Sequence, residues 1–122
     1  MVGSPLILIV DDDPAVRTSL ERLMKSAGFR VASFASTEEF LNEPQDDVVA
    51  CLVLDMKLPG ANGQELQQRL AAEKRAIPII FISADDEPHV RAQALRAGAI
   101  AFLSKPFDED ALLKAIHSVL QR

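Results

Sequence analysis

Leu6-Ile7-Leu8-Ile9-Val10-Asp11-Asp12-Asp13-Pro14 decides how this chain folds. Its first five residues are aliphatic at every position, not at every second one. Such a run reads as a strand buried on both faces, as at the centre of a parallel sheet. The run ends abruptly at three aspartates. Asp13 then Pro14 is an N-cap followed by the residue best suited to the first helical position. Val16, Leu20, Leu23 and Ala27 recur at helical spacing, and Gly28 suits the left-handed residue that closes a helix.

The same unit recurs down the chain. Arg30 to Ala35 contains a strand, and Ser36 with Glu39 spells a capping box for a short helix carrying Phe40 and Leu41. Val48 to Leu54 is a second fully apolar strand, ending at Asp55. Leu58-Pro59-Gly60 and Asn62-Gly63 mark a loop. Gln64 to about Lys74 reads as a helix with Leu66 and Leu70 inward. Pro78 to Ile82 is a strand ending at Ser83, and Pro88 to Ala97 a helix stopped by Gly98. Ile100 to Leu103 is the last strand, ending at Ser104-Lys105-Pro106. Asp108 caps a final helix with Leu112, Ile116 and Val119 on one face.

Five strand–helix units predict an α/β fold of three layers, a doubly wound (βα)5 domain with a parallel five-stranded sheet. Right-handed crossovers leave few topologies, and the flavodoxin-like strand order 2-1-3-4-5 is the expectation. That order comes from fold-level regularity and not from periodicity.

Composition narrows the setting. The 122 residues suit one domain, with 48% hydrophobic and 25% charged residues. Thirteen Lys and Arg against eighteen Asp and Glu give −5. Such a balance is poorly suited to holding nucleic-acid phosphates, so no direct nucleic-acid contact is expected. Cys51 is the only cysteine, so no internal disulfide can form. It reads as a buried filler. No apolar run approaches the roughly 18 residues of a membrane span. No secretion signal opens the sequence, so the expected setting is cytoplasmic without membrane contact.

The strand ends carry the chemistry. Ligands of open parallel sheets bind beyond the carboxyl ends of the strands, where strand order reverses. That rim receives Asp11 and Asp12, then Asp55, Ser83 and Lys105, each from a strand that is otherwise aliphatic. Three close carboxylates raise one another's pKa or demand a counter-ion. Mg²⁺ meets the demand with oxygen ligands and retained waters, and Mn²⁺ is a possible substitute. Lys105 adds a positive charge and Ser83 a hydroxyl. The set suits stabilisation of a transferring phosphoryl group, with one carboxylate as acceptor. Taken singly, each piece has a plain reading: capping, a strand end, a solvated turn. Their coincidence at one rim favours the functional one.

Other phosphate chemistries lack their motifs. There is no GxxxxGK[ST] and no GxGxxG after the first strand. Three aspartates occupy the position of a flavodoxin phosphate loop. Two residues beyond Asp55 stands Lys57, where an Asp-x-Asp phosphatase would carry its general acid.

Ile-Val-Asp-Asp-Asp at 9–13, Leu-Val-Leu-Asp-Met-Lys-Leu-Pro-Gly at 52–60 with Gly63, Ile-Ser-Ala at 82–84 and Phe-Leu-Ser-Lys-Pro-Phe at 102–107 together resemble the receiver domain of two-component response regulators. The likeness belongs to the CheY-like superfamily, with a FixJ-like flavour. It spans about Leu6 to Leu120, so residues 1–122 are expected to form one receiver domain with its core at about 6–120. The resemblance implies Asp55 as phosphoacceptor. It implies Asp12, Asp55 and the Lys57 backbone carbonyl as Mg²⁺ ligands, with Asp11 acting through water. Lys105 would pair with the phosphoryl oxygens, and the Ser83 hydroxyl and Ala84 N–H would donate to them. A cis Lys105–Pro106 bond is implied too. Phe102 matches a rotating aromatic switch, although it reads also as core filling. It lacks a hydroxyl, so output would follow ring position.

The implied partners are a sensor histidine kinase or histidine phosphotransfer protein, and an output domain or effector. The protein would be a switch and not an enzyme. Helix four, with Val90, Leu95 and alanines as its apolar anchors, is expected to move. With strand five it would form the output face, through which a homodimer is possible. Ala15, Thr18, Ser19 and Arg22 form an exposed stripe suited to kinase docking, or an ordinary solvated face. Lys57 and Asp85 could lean over the site and tune the lifetime of the acyl phosphate, or remain two solvated charges. His89 and His117 read as surface residues. An interaction-only receiver and a small Mg²⁺-dependent phosphohydrolase are the alternatives. Met1 lies just before the first strand, so any further domain is expected on the C-terminal side.

Overall fold

The strands obey the double-sided burial that their sequences demand. In the computed structural model, residues 5–43, 49–58, 62–84 and 87–121 are described. Among the described residues there are five strands: β1 (Leu6–Val10), β2 (Arg30–Phe34), β3 (Val49–Asp55), β4 (Ile79–Ser83) and β5 (Ala101–Ser104). They alternate with α1 (Pro14–Ser26), α2 (Thr37–Asn42), α3 (Gly63–Ala72), α4 (Pro88–Arg96) and α5 (Glu109–Leu120). All pairings are parallel and the sheet order is β2-β1-β3-β4-β5.

Side chains divide by parity. Ile7, Ile9, Cys51, Val53, Ile80 and Ile82 pack with Leu20 and Met24 of α1 and with Leu112 and Ile116 of α5. Leu8, Val10, Leu52, Leu54, Ile79 and Phe81 pack on the other face with Phe40 of α2, Leu66 and Leu70 of α3, and Ala94 of α4. A strand with helices on both sides has no polar face, which is why β1, β3 and β4 show no alternation. Cys51 lies in the first layer, and burial pushes its thiol up to about 12.

Helix ends follow capping chemistry. Asp13 Oδ1 accepts from the Ala15 N–H at 2.9 Å and Pro14 opens α1. Asp108 caps α5 through the Asp110 N–H. At the far ends, Gly28 (φ 89) and Gly98 (φ 108) take the left-handed conformation. The N–H of the next residue then reaches back, Phe29 to the Met24 carbonyl and Ala99 to the Ala94 carbonyl.

Four local expectations need correction. Asn62-Gly63 is no loop: Asn62 caps α3 in a reciprocal box with Glu65, and Gly63 is already helical. At α2 the Glu39 N–H bonds Ser36 Oγ, but the Glu39 carboxylate reaches past the cap to the Ala35 N–H. α3 stops at Ala72 because Lys74 turns left-handed (φ 58). In α4 the buried residue is Ala94, whereas Leu95 is 41% exposed. α4 lies close enough to α3 for Gln67 Nε2 to bond the Ala94 carbonyl. Val48, Pro59 and Gly60 lie outside the described residues.

Candidate functional site

The register that builds the sheet also gathers the site. Val10 pairs with Leu54, so Asp11 and Asp55 fall abreast one step further on. Both carry the parity of the α1/α5 face, and both are buried, at 0% and 4% exposure. Asp12 beside them is exposed. One carboxylate oxygen from each of Asp11, Asp12 and Asp55 lies within 4.8 Å of the others.

Lys105 arrives from the end of β5. Its backbone N–H bonds the Ser83 carbonyl at 2.7 Å, which ties the ends of β4 and β5 together. Its Nζ stands 3.0 Å from Asp11 Oδ2 and 3.3 Å from Asp55 Oδ2. The following peptide, Lys105–Pro106, is cis. Asp11 Oδ1 accepts the Asp13 N–H at 2.9 Å, and Asp55 Oδ1 accepts the Lys57 N–H at 3.2 Å.

The electrostatics follow from burial. Desolvation raises the Asp55 carboxyl above its ordinary range, and the Asp11 charge adds to this. Lys105 and the Lys57 N–H pull the other way without cancelling it. Partial burial alone would lower the Lys105 ammonium, but the Asp11 and Asp55 carboxylates outweigh it, and its pKa is raised. One lysine thus serves two buried carboxylates. Asp11 Oδ2 meets it as a close ion pair but has no well-directed hydrogen bond among the described residues. A rim of hard oxygen donors, one of them buried with unfilled capacity, fits a divalent cation of the Mg²⁺ type.

Ser83 is buried at the end of β4, and Ala84 beside it is exposed. Phe102 is 1% exposed and lies against Phe81, ring centroids 6.1 Å apart. Ala15, Thr18, Ser19 and Arg22 are all exposed on α1 and line an open groove of about 730 Å³ that reaches Glu109 of α5. Lys57 is exposed, while Asp85 lies outside the described residues, and any pairing of the two with it. His89 and His117 are exposed.

Two positioning roles escaped the sequence reading, which named Gly63 only as a loop and motif residue. Arg17 Nη1 bonds the Asp11 carbonyl at 2.7 Å and fixes the turn into α1. No local pattern announces that contact. Gly63 packs its Cα against the site strand: a Cβ there would meet the Asp55 carbonyl oxygen at 2.6 Å. Asn62 and Glu65, three apart, carried the signal for it.

A doubly wound domain whose switch point holds an acidic cluster faced by a lysine is thereby the class of protein at hand. Residues 7–117 match the response regulator receiver domain. Response regulator protein TmoT of Ectopseudomonas mendocina is 43% identical over 116 residues, 95% of this chain and 53% of that protein. Transcriptional regulatory protein FixJ of Bradyrhizobium diazoefficiens is 35% identical over 116 residues, 95% of this chain and 57% of its own length. The solved structure of response regulator StyR is 46% identical with a TM-score of 0.88, over 98% of this chain and 60% of that one. The chain belongs to the receiver-domain family of response regulators, with FixJ among its relatives. It spans about half the length of the curated relatives it matches. No helix of the described residues is long and apolar enough to cross a membrane.

Proposed function

We propose that this domain is a phosphoacceptor switch of a two-component system. A phosphohistidine on a sensor kinase, or on a histidine phosphotransfer protein, gives its phosphoryl group to Asp55. The resulting change controls an output domain or effector. The observation that carries this reading is the placement of Asp55. It is buried at the end of β3, beside Asp11 and Asp12, with the Lys105 ammonium 3.3 Å from its Oδ2.

Asp12, Asp55 and the Lys57 backbone carbonyl would hold Mg²⁺, with Asp11 acting through water and Mn²⁺ able to substitute. When bound there, Mg²⁺ would supply positive charge to offset that of the carboxylates and the incoming phosphoryl group. The residues supply the rest. An Asp55 oxygen attacks phosphorus in line, the P–N bond breaks, and the departing imidazole takes up a proton. Lys105, kept charged by its carboxylates, pairs with the phosphoryl oxygens. The Ser83 hydroxyl and the Ala84 N–H donate to them. The covalent phosphate adds charge and acceptors, and their different contacts in two arrangements are what shift the equilibrium.

The partners follow. The exposed stripe of α1, with Ala15, Thr18, Ser19 and Arg22, docks the phosphodonor. α4 and β5 form the output face, where Phe102 reports by ring position and a homodimer can form. Residues 1–122 act as one receiver domain with its core at about 6–120, in the cytoplasm, without contacting nucleic acid. The domain is a switch and turns over no external substrate.

Incubation with acetyl phosphate and Mg²⁺ tests this by intact mass. One added phosphate is expected, absent in Asp55→Ala and in excess chelator. No adduct would instead support an interaction-only receiver. Steady turnover of phosphate esters would support a hydrolase.

A further inference from the structure

Asp12 is the exposed member of the acidic cluster. Among the described residues its carboxylate makes no hydrogen bond or ion pair. Its direction is therefore set by the backbone on either side. The peptide after it is held from within the cluster, where the Asp13 N–H donates to Asp11 Oδ1 at 2.9 Å. On the other side, the sheet holds Asp11 by its N–H, which donates to the Phe34 carbonyl at 3.1 Å. β2 ends at that residue. The Asp11 carbonyl is met instead from the first turn of α1, by Arg17 Nη1 at 2.7 Å. A peptide unit is planar, so a held Asp11 carbonyl also orients the N–H and Cα of Asp12. With both flanking peptides held, the two backbone torsions of Asp12 are fixed, and with them the direction of its Cβ.

We propose that Arg17 is a positioning residue for cation binding: its hydrogen bond to the Asp11 carbonyl aims the Asp12 carboxylate at the Mg²⁺ position. This deepens the reading of the acidic cluster as a Mg²⁺ site and rests on it. The bond is charge-assisted, which makes it stronger than one between neutral groups. Charge and position pull in opposite directions here. As a cation beside an acidic cluster, Arg17 by its charge alone would weaken Mg²⁺ binding. As the holder of the turn it strengthens binding, because a ligand already in place need not be ordered when the ion arrives. The sign of the change on removing Arg17 therefore separates the two effects.

The test is Mg²⁺ titration of the whole chain followed by amide NMR, since the chain has no Trp or Tyr to report binding optically. The proteins are the wild type, R17M, D12A, the R17M/D12A double variant and I116V. R17M keeps an apolar stem and removes the donors. It is expected to bind Mg²⁺ about tenfold more weakly, the lower end of what residues supporting a metal ligand contribute. In the D12A background there is no carboxylate left to aim, so R17M should weaken binding by less than about twofold. I116V is a destabilised control in the α5 layer and should bind Mg²⁺ as the wild type does. Equal or tighter Mg²⁺ binding by R17M overturns the positioning role. An undiminished loss in the D12A background overturns the route through Asp12, and an equal loss in I116V reduces the effect to stability, so either result overturns the proposal. A wild type that binds no Mg²⁺, or whose Mg²⁺ binding D12A leaves unchanged, overturns the metal reading, and the part of Arg17 with it.

Discussion

Asp55 is a charge held where burial and the Asp11 carboxylate both disfavour it. Its pKa is raised in the folded state, so the fold binds more protons than the unfolded chain between the ordinary carboxylate pKa and the raised one. Stability contributed there is full below the ordinary value and is lost as pH rises through the raised value. In chelator, the denaturation midpoint should fall with rising pH across that acidic window more steeply in wild type than in Asp55→Asn. At neutral pH, Asp55→Asn should be more stable by on the order of 1 kcal/mol; an equally steep pH profile would refute this. Gly63 makes a steric prediction. Gly63→Ala places a Cβ 2.6 Å from a backbone oxygen that cannot swing away. Urea unfolding should show a loss of about 1–3 kcal/mol. The acidic residues were legible because several otherwise apolar strands end in polar groups at one rim, a coincidence that capping alone does not produce. Arg17 was not, since its Asp11 carbonyl partner exists only once the turn has formed.

Helix ends show what local sequence can carry. α1, α3 and α4 close with the same pair of backward hydrogen bonds. Two place Gly at the left-handed position, whereas α3 places Lys74 there. An L side chain in that conformation costs about 1 kcal/mol relative to glycine. Lys74→Gly should therefore raise the unfolding free energy by roughly 0.5–1 kcal/mol, seen as a higher urea midpoint at unchanged slope. The two glycine stops were readable, but the lysine stop was not, because no residue type signals it. The start of α3 was misread because Asn-Gly serves both as a turn and as a cap, and the partner Glu65 decides between them. In α4, hydropathy pointed to Val90, Leu95 and the alanines, and of these Leu95 is exposed. The buried side chain is Ala94, whose carbonyl meets Gln67 of α3.

At the scale of the whole molecule, five strand–helix units were legible from periodicity, whereas the strand order, expected correctly, came from fold-level regularity. Periodicity fixes which residues are buried and is silent on which strands are neighbours. The order 2-1-3-4-5 puts β1 and β3 side by side, and that adjacency alone turns separate aspartates into one cluster. Cation binding by this cluster, as proposed, couples global stability to Mg²⁺. Mg²⁺ bound to the folded state should stabilise it by about 2.7 kcal/mol at a hundredfold excess over Kd. Thermal melts should rise by several degrees with Mg²⁺, and much less in Asp12→Asn or Asp55→Asn. An identical rise in all three would remove the cluster from cation binding.

The central claim is that Asp55 takes the phosphoryl group. An acyl phosphate is reduced by borohydride to an alcohol, which turns the modified aspartate into homoserine. Peptide mapping after acetyl phosphate, Mg²⁺ and borohydride should find homoserine at position 55 and aspartate intact at 11, 12 and 13. Homoserine at another aspartate, or an unmodified position 55 in protein that carries phosphate, would contradict the account.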